Sequence, residues 1–183
     1  MTYYGGRELA AAFRKVRKNT IQIAEEIPED KYSFKPSADS RSIGQTLAHI
    51  ATATMFPTML HGERIPVEKI DFGSYMKKAG AEEAELQTKA QILARLKDSG
   101  EKFGAMLESL TDDAFLGEAI TFQGGDPPSR TRFDLLLAAK EHEMHHRAQL
   151  MVMQRMLGLV PHLTREAQAR MERFMAQQPQ AAR

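Results

Sequence analysis

Two histidines one helical turn apart are the clearest chemical signal in this sequence. His142 and His146 lie in the segment Glu141–Leu150, inside a stretch from Ser129 to Leu157 that contains no Gly or Pro. A stretch of this length that is rich in Leu, Ala, Met, Glu and Arg predicts one long helix. On a helix the two imidazoles are about 40° apart in azimuth, with Cβ atoms roughly 5 to 6 Å from each other. Two imidazoles in this arrangement can bind one metal ion.

A third ligand must come from elsewhere in the chain. The sequence contains no Cys, so thiolate ligands and disulfides are excluded, and any site must use His, carboxylate and water. The remaining histidines are His49, His61, His145 and His162. His145 lies about 100° around the helix from His146, so the two rings cannot easily bind the same ion. His61 and His162 fall at predicted helix or loop ends, where surface roles are expected.

His49 lies in a second predicted helix, which begins at the suitable N-cap Ser42 and runs to Met55. Both faces of this helix carry apolar residues, which indicates a buried helix, and Pro57 is expected to kink or end it. A histidine on an interior face is either a metal ligand or a core residue hydrogen-bonded to a neighbour. The residues of this helix leave both interpretations open.

The apolar pattern predicts two further long helices and a short one. Residues Leu9 to Ile27 follow helical spacing, and Glu83 to Leu110 shows a seven-residue seam that is typical of a helical bundle. A short last helix follows Thr164, a possible N-cap. The segment Ala119 to Gln123 could be extended, but the sequence holds too little strand to build a sheet.

The connection between the second and third helices is long. Pro66, Gly73 and Gly80 are expected to prevent helix formation from Gly62 to Glu82. A connection of this length suits a crossover between parallel neighbours better than a tight antiparallel turn. We therefore predict an all-α bundle with a long crossover between helices 2 and 3 and a short C-terminal helix.

Two groups of charged residues are interpreted as solvated. A basic turn from Arg14 to Lys18 is followed closely by acidic residues, which favours a solvated face over an anion site. Glu143 and Arg147 are spaced i, i+4, which is typical of a surface salt bridge.

Length and charge restrict the class of protein. The chain has 183 residues and a net charge of +1. We expect one domain over residues 1–176 and a polar tail over residues 177–183. The balanced charge gives no reason to expect nucleic acid or an anionic membrane as a partner. The sequence shows no signal-peptide pattern and no membrane-length apolar run, so a cytoplasmic protein is the default expectation.

Taken together, these features resemble the DinB/YfiT superfamily of metalloenzymes. The resemblance is carried by four predicted helices with a long middle crossover, His49 in the second helix, and the string from His142 to Gln149 in the last one. It covers residues 9–161, and its specificity lies in the combination of His49 with the HxxxHRxQ pattern. Ala148 departs from the pattern, since the family often has Gly there, and this could change how closely a neighbouring helix approaches.

The resemblance implies a four-helix bundle with up-down-down-up connectivity, commonly dimeric, with a divalent metal near one end of the bundle. The implied ligands in this sequence are His49, His142 and His146. Three protein ligands leave a position for water or substrate, whereas structural sites are usually closed by four. Zinc and nickel are the leading expectations, and iron and manganese are alternatives.

The superfamily also implies a function. Its characterised members suggest a metal-dependent enzyme of small-molecule thiol transfer or isomerisation, with a thiol such as bacillithiol or mycothiol, or a related hydrolase. Gln149, His145, and either Glu141 or Glu143 are candidates to orient ligands or substrate. One alternative is a non-catalytic metal-binding protein of the stress-response type, and another is a helical interaction module with buried histidines. The last bundle helix carries more apolar residues than one seam needs, so we expect either the C-terminal segment or a second subunit to cover it. The resemblance implies a homodimer.

Overall fold

Helices with apolar residues at helical spacing build the fold. The computed structural model describes residues 4–177, so residues 178–183 of the predicted polar tail lie outside the described residues. The elements are α1 (Gly6–Glu26), α2 (Ile43–Thr52), α3 (Met55–Pro57), α4 (Phe72–Glu85), α5 (Lys89–Ser109), α6 (Asp113–Gly117), β1 (Ala119–Thr121), β2 (Ser129–Thr131), α7 (Arg132–Met156) and α8 (His162–Gln177). The two short strands form an antiparallel hairpin just before α7.

The bundle consists of α1, α2, α5 and α7. α1 packs against α5 and α7, and α2 packs against the same two helices. α1 and α2 therefore occupy opposite corners. The predicted all-α four-helix bundle with up-down-down-up connectivity is confirmed, and α2 and α5 are the parallel neighbours that the crossover joins.

The crossover contains a helix, which corrects the sequence prediction for residues 62–82. α4 begins where the Asp71 carboxylate accepts a hydrogen bond from a backbone N–H in the first turn. Gly73 and Gly80 each lower helix propensity by about 1 kcal/mol. This cost is small enough for the N-cap and the packing of α4 against α2 to offset it.

Capping residues set the beginnings of α2 and α5. Ser42 and Gln45 each accept a hydrogen bond from the other's backbone N–H, which confirms the predicted N-cap. Thr88 plays the same part for α5. The predicted third helix from Glu83 to Leu110 is therefore two helices, and Glu83 belongs to the last turn of α4.

Two apolar clusters fill the interior at different levels of the bundle. One cluster joins α2 to the C-terminal half of α1, the N-terminal half of α5 and the C-terminal half of α7, and includes Ile23, Ile27, Leu47, Ile92, Leu96 and Leu150. The other joins the remaining halves of α1, α5 and α7, and includes Leu9, Phe13, Phe103, Leu107 and Leu136. Between the two levels, polar side chains of α1, α5 and α7 meet a backbone carbonyl of α2.

A buried ion pair occupies this polar layer. Arg17 on α1 is 3% exposed and Glu143 on α7 is 2% exposed. Arg17 Nε lies 3.0 Å from both carboxylate oxygens of Glu143, and Nη2 lies 2.9 Å from Oε2. Arg17 also donates to the Leu96 carbonyl and the Ser99 hydroxyl on α5, and to the Ile50 carbonyl on α2. One guanidinium thus binds groups on all three other bundle helices.

The sequence interpretation of these two residues was wrong. Arg17 follows Phe13 by four positions, so it lies on the inner face of α1 and not on a solvated face. Glu143 pairs with Arg17 in the interior instead of forming a surface salt bridge with Arg147. Gly100 on α5 provides the space, because a Cβ there would lie 2.6 Å from Arg17 Cγ.

Two histidines that were expected at the surface are buried. His61 and His162 are each 1% exposed. His61 lies in a π-helical turn, Thr58–Gly62, where its Nδ1 is 3.5 Å from Arg132 Nη1. Burial and the nearby Arg132 charge lower the pKa of His61 to about 4. His162 begins α8, which the ion pair between Arg165 and Glu26 ties to α1.

Several large apolar side chains remain exposed on the last two helices. They are Met144, Val152 and Met156 on α7 and Met171, Phe174 and Met175 on α8. An apolar surface of this kind agrees with the homodimer prediction, which stays a prediction. No helix within residues 4–177 is both long enough and apolar enough to span a membrane.

We predict that Arg17→Met lowers the free energy of unfolding by about 3 to 5 kcal/mol, because it leaves the buried Glu143 carboxylate without its partner. Chemical denaturation monitored by circular dichroism measures the change. Arg14→Met is the matched control, since Arg14 forms partly exposed ion pairs with Glu101 and Glu108. Such pairs contribute about 0 to 1 kcal/mol. Equal losses in the two variants would contradict the prediction, and Arg17→Met/Glu143→Met should recover part of the loss.

We also predict that the metal-free protein loses stability as the pH falls from 6.5 to 4. The unfolded state binds a proton on His61 in this range and the folded state does not, so protons favour unfolding. His61→Gln should reduce this pH dependence by on the order of 2 kcal/mol. Urea denaturation of both proteins at several pH values measures it. Identical pH profiles would show that His61 is not the source.

Candidate metal centre

Two bundle helices bring three histidines together. His49 lies in the last turn of α2, and His142 and His146 lie one turn apart, midway along α7. His142 Nε2 is 3.1 Å from His49 Nε2 and 3.1 Å from His146 Nε2. One ligand atom from each of the three rings lies within 4.8 Å of the others. These rings are called the histidine triad below.

Hydrogen bonds at Nδ1 orient two of the rings. His49 Nδ1 is 2.7 Å from Glu83 Oε1, and His146 Nδ1 is 2.8 Å from Gln149 Oε1. Both partner atoms are acceptors, so both Nδ1 atoms carry the proton. The Nε2 atoms of His49 and His146 therefore present lone pairs toward His142. This is the tautomer that a metal ligand needs, and a carboxylate or carbonyl partner commonly fixes it.

The donor set fits a divalent cation. Nitrogen–metal bonds of about 2.0 to 2.1 Å in tetrahedral geometry require nitrogens about 3.3 Å apart, close to the two 3.1 Å separations. Without a shared cation, His142 Nε2 could donate a proton to only one of its two neighbours. The other pair of facing nitrogens would repel each other. A cation between the three lone pairs removes this conflict.

The electrostatic environment disfavours protonation of His142 and His146. Burial, followed by the charges of His146, His49, His145 and the Arg41 guanidinium, lowers the pKa of His142 to about 4. Burial also lowers the pKa of His146, although the hydrogen bond with Gln149 acts in the opposite direction. Neutral imidazoles are the metal-binding form, so protons compete weakly for these nitrogens at neutral pH.

Of the other candidates from the sequence, Gln149 and His145 lie next to the triad. Gln149 bridges two rings, because its Nε2 donates to His145 Nε2 at 3.1 Å while its Oε1 accepts from His146. His145 is exposed and lies outside the triad, to which Gln149 links it. Glu141 is exposed, and its charge acts on Arg130. Ala148, the position that departs from the family pattern, is exposed.

Sequence reasoning missed two residues near the triad. The sequence prediction placed Glu83 at the start of a bundle helix, whereas Glu83 lies on α4 and its Oε1 hydrogen-bonds His49. The Thr52 hydroxyl lies 3.4 Å from the same Glu83 oxygen. Arg41 precedes the N-cap of α2, and its charge reaches His142 and His146. A search for a carboxylate partner of each candidate ligand would have included Glu83, but nothing local distinguishes it from the other acidic residues of α4.

Comparison with known proteins agrees with this architecture. The DinB superfamily model matches residues 12–150. The uncharacterized protein YjoA of Bacillus subtilis is 30% identical over 153 residues, which cover 82% of this chain and 90% of YjoA. The crystal structure of YjoA, a DinB-like protein, aligns with a TM-score of 0.60 at 29% identity, covering 82% of this chain and 92% of that one.

More distant structures share the fold alone. YfiT from Bacillus subtilis, described as a probable metal-dependent hydrolase with an unusual four-helix bundle topology, aligns with a TM-score of 0.61 at 17% identity. The alignment covers 87% of this chain and 91% of YfiT. An uncharacterized protein from Clostridium difficile 630 aligns with a TM-score of 0.63 at 12% identity, over 85% of this chain and 98% of that one. The family match and the similarity to YjoA together show that the chain belongs to the DinB superfamily.

Proposed function

We propose that this chain is a metal-dependent enzyme that holds one divalent cation on the Nε2 atoms of His49, His142 and His146. The observation that supports this most directly is that one nitrogen from each of the three rings converges on the same point. In two of these rings, a hydrogen-bond acceptor at Nδ1 fixes the tautomer. Zinc and nickel are the leading candidates, and iron and manganese are the alternatives, because all of them accept imidazole ligands.

Residues around the triad would each have a separate role at the site. Glu83 and Gln149 hold the protons on Nδ1 of His49 and His146 and fix the ring orientations. His145 accepts a hydrogen bond from Gln149 and is exposed, so it is placed to exchange protons with solvent. When bound, a divalent cation supplies Lewis acidity that polarises a substrate carbonyl or a related group.

The reaction we favour is hydrolysis of a small molecule. YfiT, which shares the fold, is described as a probable metal-dependent hydrolase. Thiol transfer or isomerisation with a low-molecular-weight thiol is the second reaction type, and it rests on the family resemblance. We further propose a homodimer that uses the exposed apolar residues of α7 and α8, with no nucleic acid or membrane as partner.

We predict that protein purified without a nickel column binds one divalent ion per chain, as measured by elemental analysis and zinc titration. His142→Ala should weaken zinc binding by at least about 100-fold, because it removes the nitrogen that lies next to both other rings. Far-ultraviolet circular dichroism should show the same helical content. His145→Ala is the control on the same helix and should keep the affinity.

The activity screen then compares zinc-loaded protein with the His49→Ala variant on ester, amide and thiol-conjugation substrates. Metal-dependent turnover that His49→Ala abolishes is the expected result. Zinc binding without turnover on any substrate class would favour the non-catalytic metal-binding alternative. A protein that binds no metal would contradict the proposal and favour the interaction module.

We predict that Glu83→Ala weakens zinc binding by about 10- to 100-fold, because His49 loses the acceptor that fixes its ring and tautomer. Glu83→Gln should weaken zinc binding less, since its amide oxygen can still accept the hydrogen bond from His49 Nδ1. Competition titration with a zinc chelator measures the affinities. Glu85→Gln is the matched control, because Glu85 is exposed on the same helix. Equal affinity of the wild type and Glu83→Ala would show that Glu83 does not position the ligand.

A further inference from the structure

We propose that the pocket beside the histidine triad binds the uncharged aromatic or branched aliphatic part of a small-molecule substrate. This inference rests on the proposed metal-dependent function, because it assigns the substrate class of the same site. The pocket has a volume of about 320 Å³, and His49 and His142 form part of its wall. A substrate group inside it is therefore in contact with the triad.

Most of the pocket wall is apolar. It is formed by the side chains of Ala53, Phe56, Pro57, Leu135, Ala138 and Ala139. Within residues 4–177, no Asp, Glu, Lys or Arg lines the pocket. A charged group that entered it would lose hydration without gaining an ionic partner from the protein, which is strongly unfavourable. The wall therefore selects an uncharged group.

The remaining two wall residues, His61 and Tyr75, are polar and uncharged. Burial lowers the pKa of His61 to about 4 and raises the pKa of Tyr75, so neither carries charge at neutral pH. Arg132 Nη1 faces His61 Nδ1 at 3.5 Å, which favours the tautomer with the proton on His61 Nε2. These groups can hydrogen-bond a polar atom of the substrate without attracting an ion.

The size and shape of the wall suit a ring. The Phe56 and Tyr75 rings meet edge to face at 5.4 Å between centroids, so α3 and α4 present an aromatic surface to the pocket. Aromatic guests make favourable edge-to-face and offset contacts with such a surface. An apolar cavity of about 150 Å³ is enough to bind benzene. The larger pocket therefore has room for a ring with a substituent that reaches the histidines.

A second groove offers different chemistry but lies off the triad. It has a volume of about 790 Å³ and is lined by Lys35, Arg41 and Glu83, among other residues. None of the three triad histidines lines it. A group bound in this groove therefore does not contact the triad histidines, whereas a group in the apolar pocket contacts His49 and His142.

The test uses the full chain in metal-free form, labelled with ¹³C at alanine methyl groups. The probes are benzyl alcohol and benzoate, which share a ring and differ in charge. Benzyl alcohol should shift the methyl signals of Ala53 and Ala139 in a saturable manner, and benzoate should bind at least tenfold more weakly. Absence of a saturable shift, or equal binding of benzoate, would overturn the inference.

Variants locate the binding. Ala138→Phe fills the pocket and should weaken benzyl alcohol binding at least tenfold, while Ala148→Phe, on the exposed side of the same helix, should leave it unchanged. Ala53→Leu fills the pocket from the residue that directly follows α2, and this variant replaces Ala138→Phe if the latter does not fold. A folded pocket-filling variant that binds benzyl alcohol as tightly as the wild type would overturn the inference.

Zinc titration of the same samples separates this inference from the proposed function. A protein that binds zinc but not benzyl alcohol overturns the pocket assignment and leaves the metal centre standing. A protein that binds benzyl alcohol in the pocket but no zinc supports the assignment of the pocket and overturns the metal centre. In zinc-loaded protein, benzohydroxamate should bind at least tenfold more tightly than acetohydroxamate, and equal binding would overturn the link between pocket and triad.

Discussion

The buried ion pair between Arg17 and Glu143 sets the relative positions of the helices that carry the site. Glu143 directly follows His142, and Ile50, whose carbonyl accepts a hydrogen bond from Arg17, directly follows His49. A shift of α2 along α7 would therefore separate the histidines and break hydrogen bonds of a desolvated guanidinium at the same time. Buried pairs add little net stability but are costly to break, so they specify one arrangement of the bundle.

α4 completes the site from outside the bundle. It supplies Glu83 to His49 and Tyr75 to the pocket wall, yet its residues are only partly buried or exposed. A helix with so little buried surface opens at a lower free energy than the bundle helices do. Opening of α4 removes the carboxylate partner of His49 and one wall of the pocket together. The orientation of the His49 ring and the shape of the pocket are thus coupled through one weakly held element.

Local patterns predicted the parts of the fold that local physics determines. Apolar periodicity located the bundle helices, and one-turn spacing identified His142 and His146 as neighbours. Only the family resemblance assigned His49 to the same site, because a buried histidine can be either a metal ligand or a core residue hydrogen-bonded to a neighbour. The burial of Arg17 and the role of Glu83 could not be predicted, since their partners lie 126 and 34 residues away. Whether a charged residue is solvated or paired depends on such distant contacts.

The same distant contacts explain why the triad suits a cation better than a proton. Burial and the charge of Arg41 disfavour protonation of His142 and His146, while the charge of Arg17 is already balanced by Glu143. Glu83 is the one carboxylate that hydrogen-bonds a triad histidine within residues 4–177. A proton on one ring satisfies a single lone pair and leaves another pair of ring nitrogens facing each other without a proton between them. A shared dication satisfies three lone pairs at once and gains the attraction of Glu83 through the His49 ring, so the arrangement discriminates against the proton.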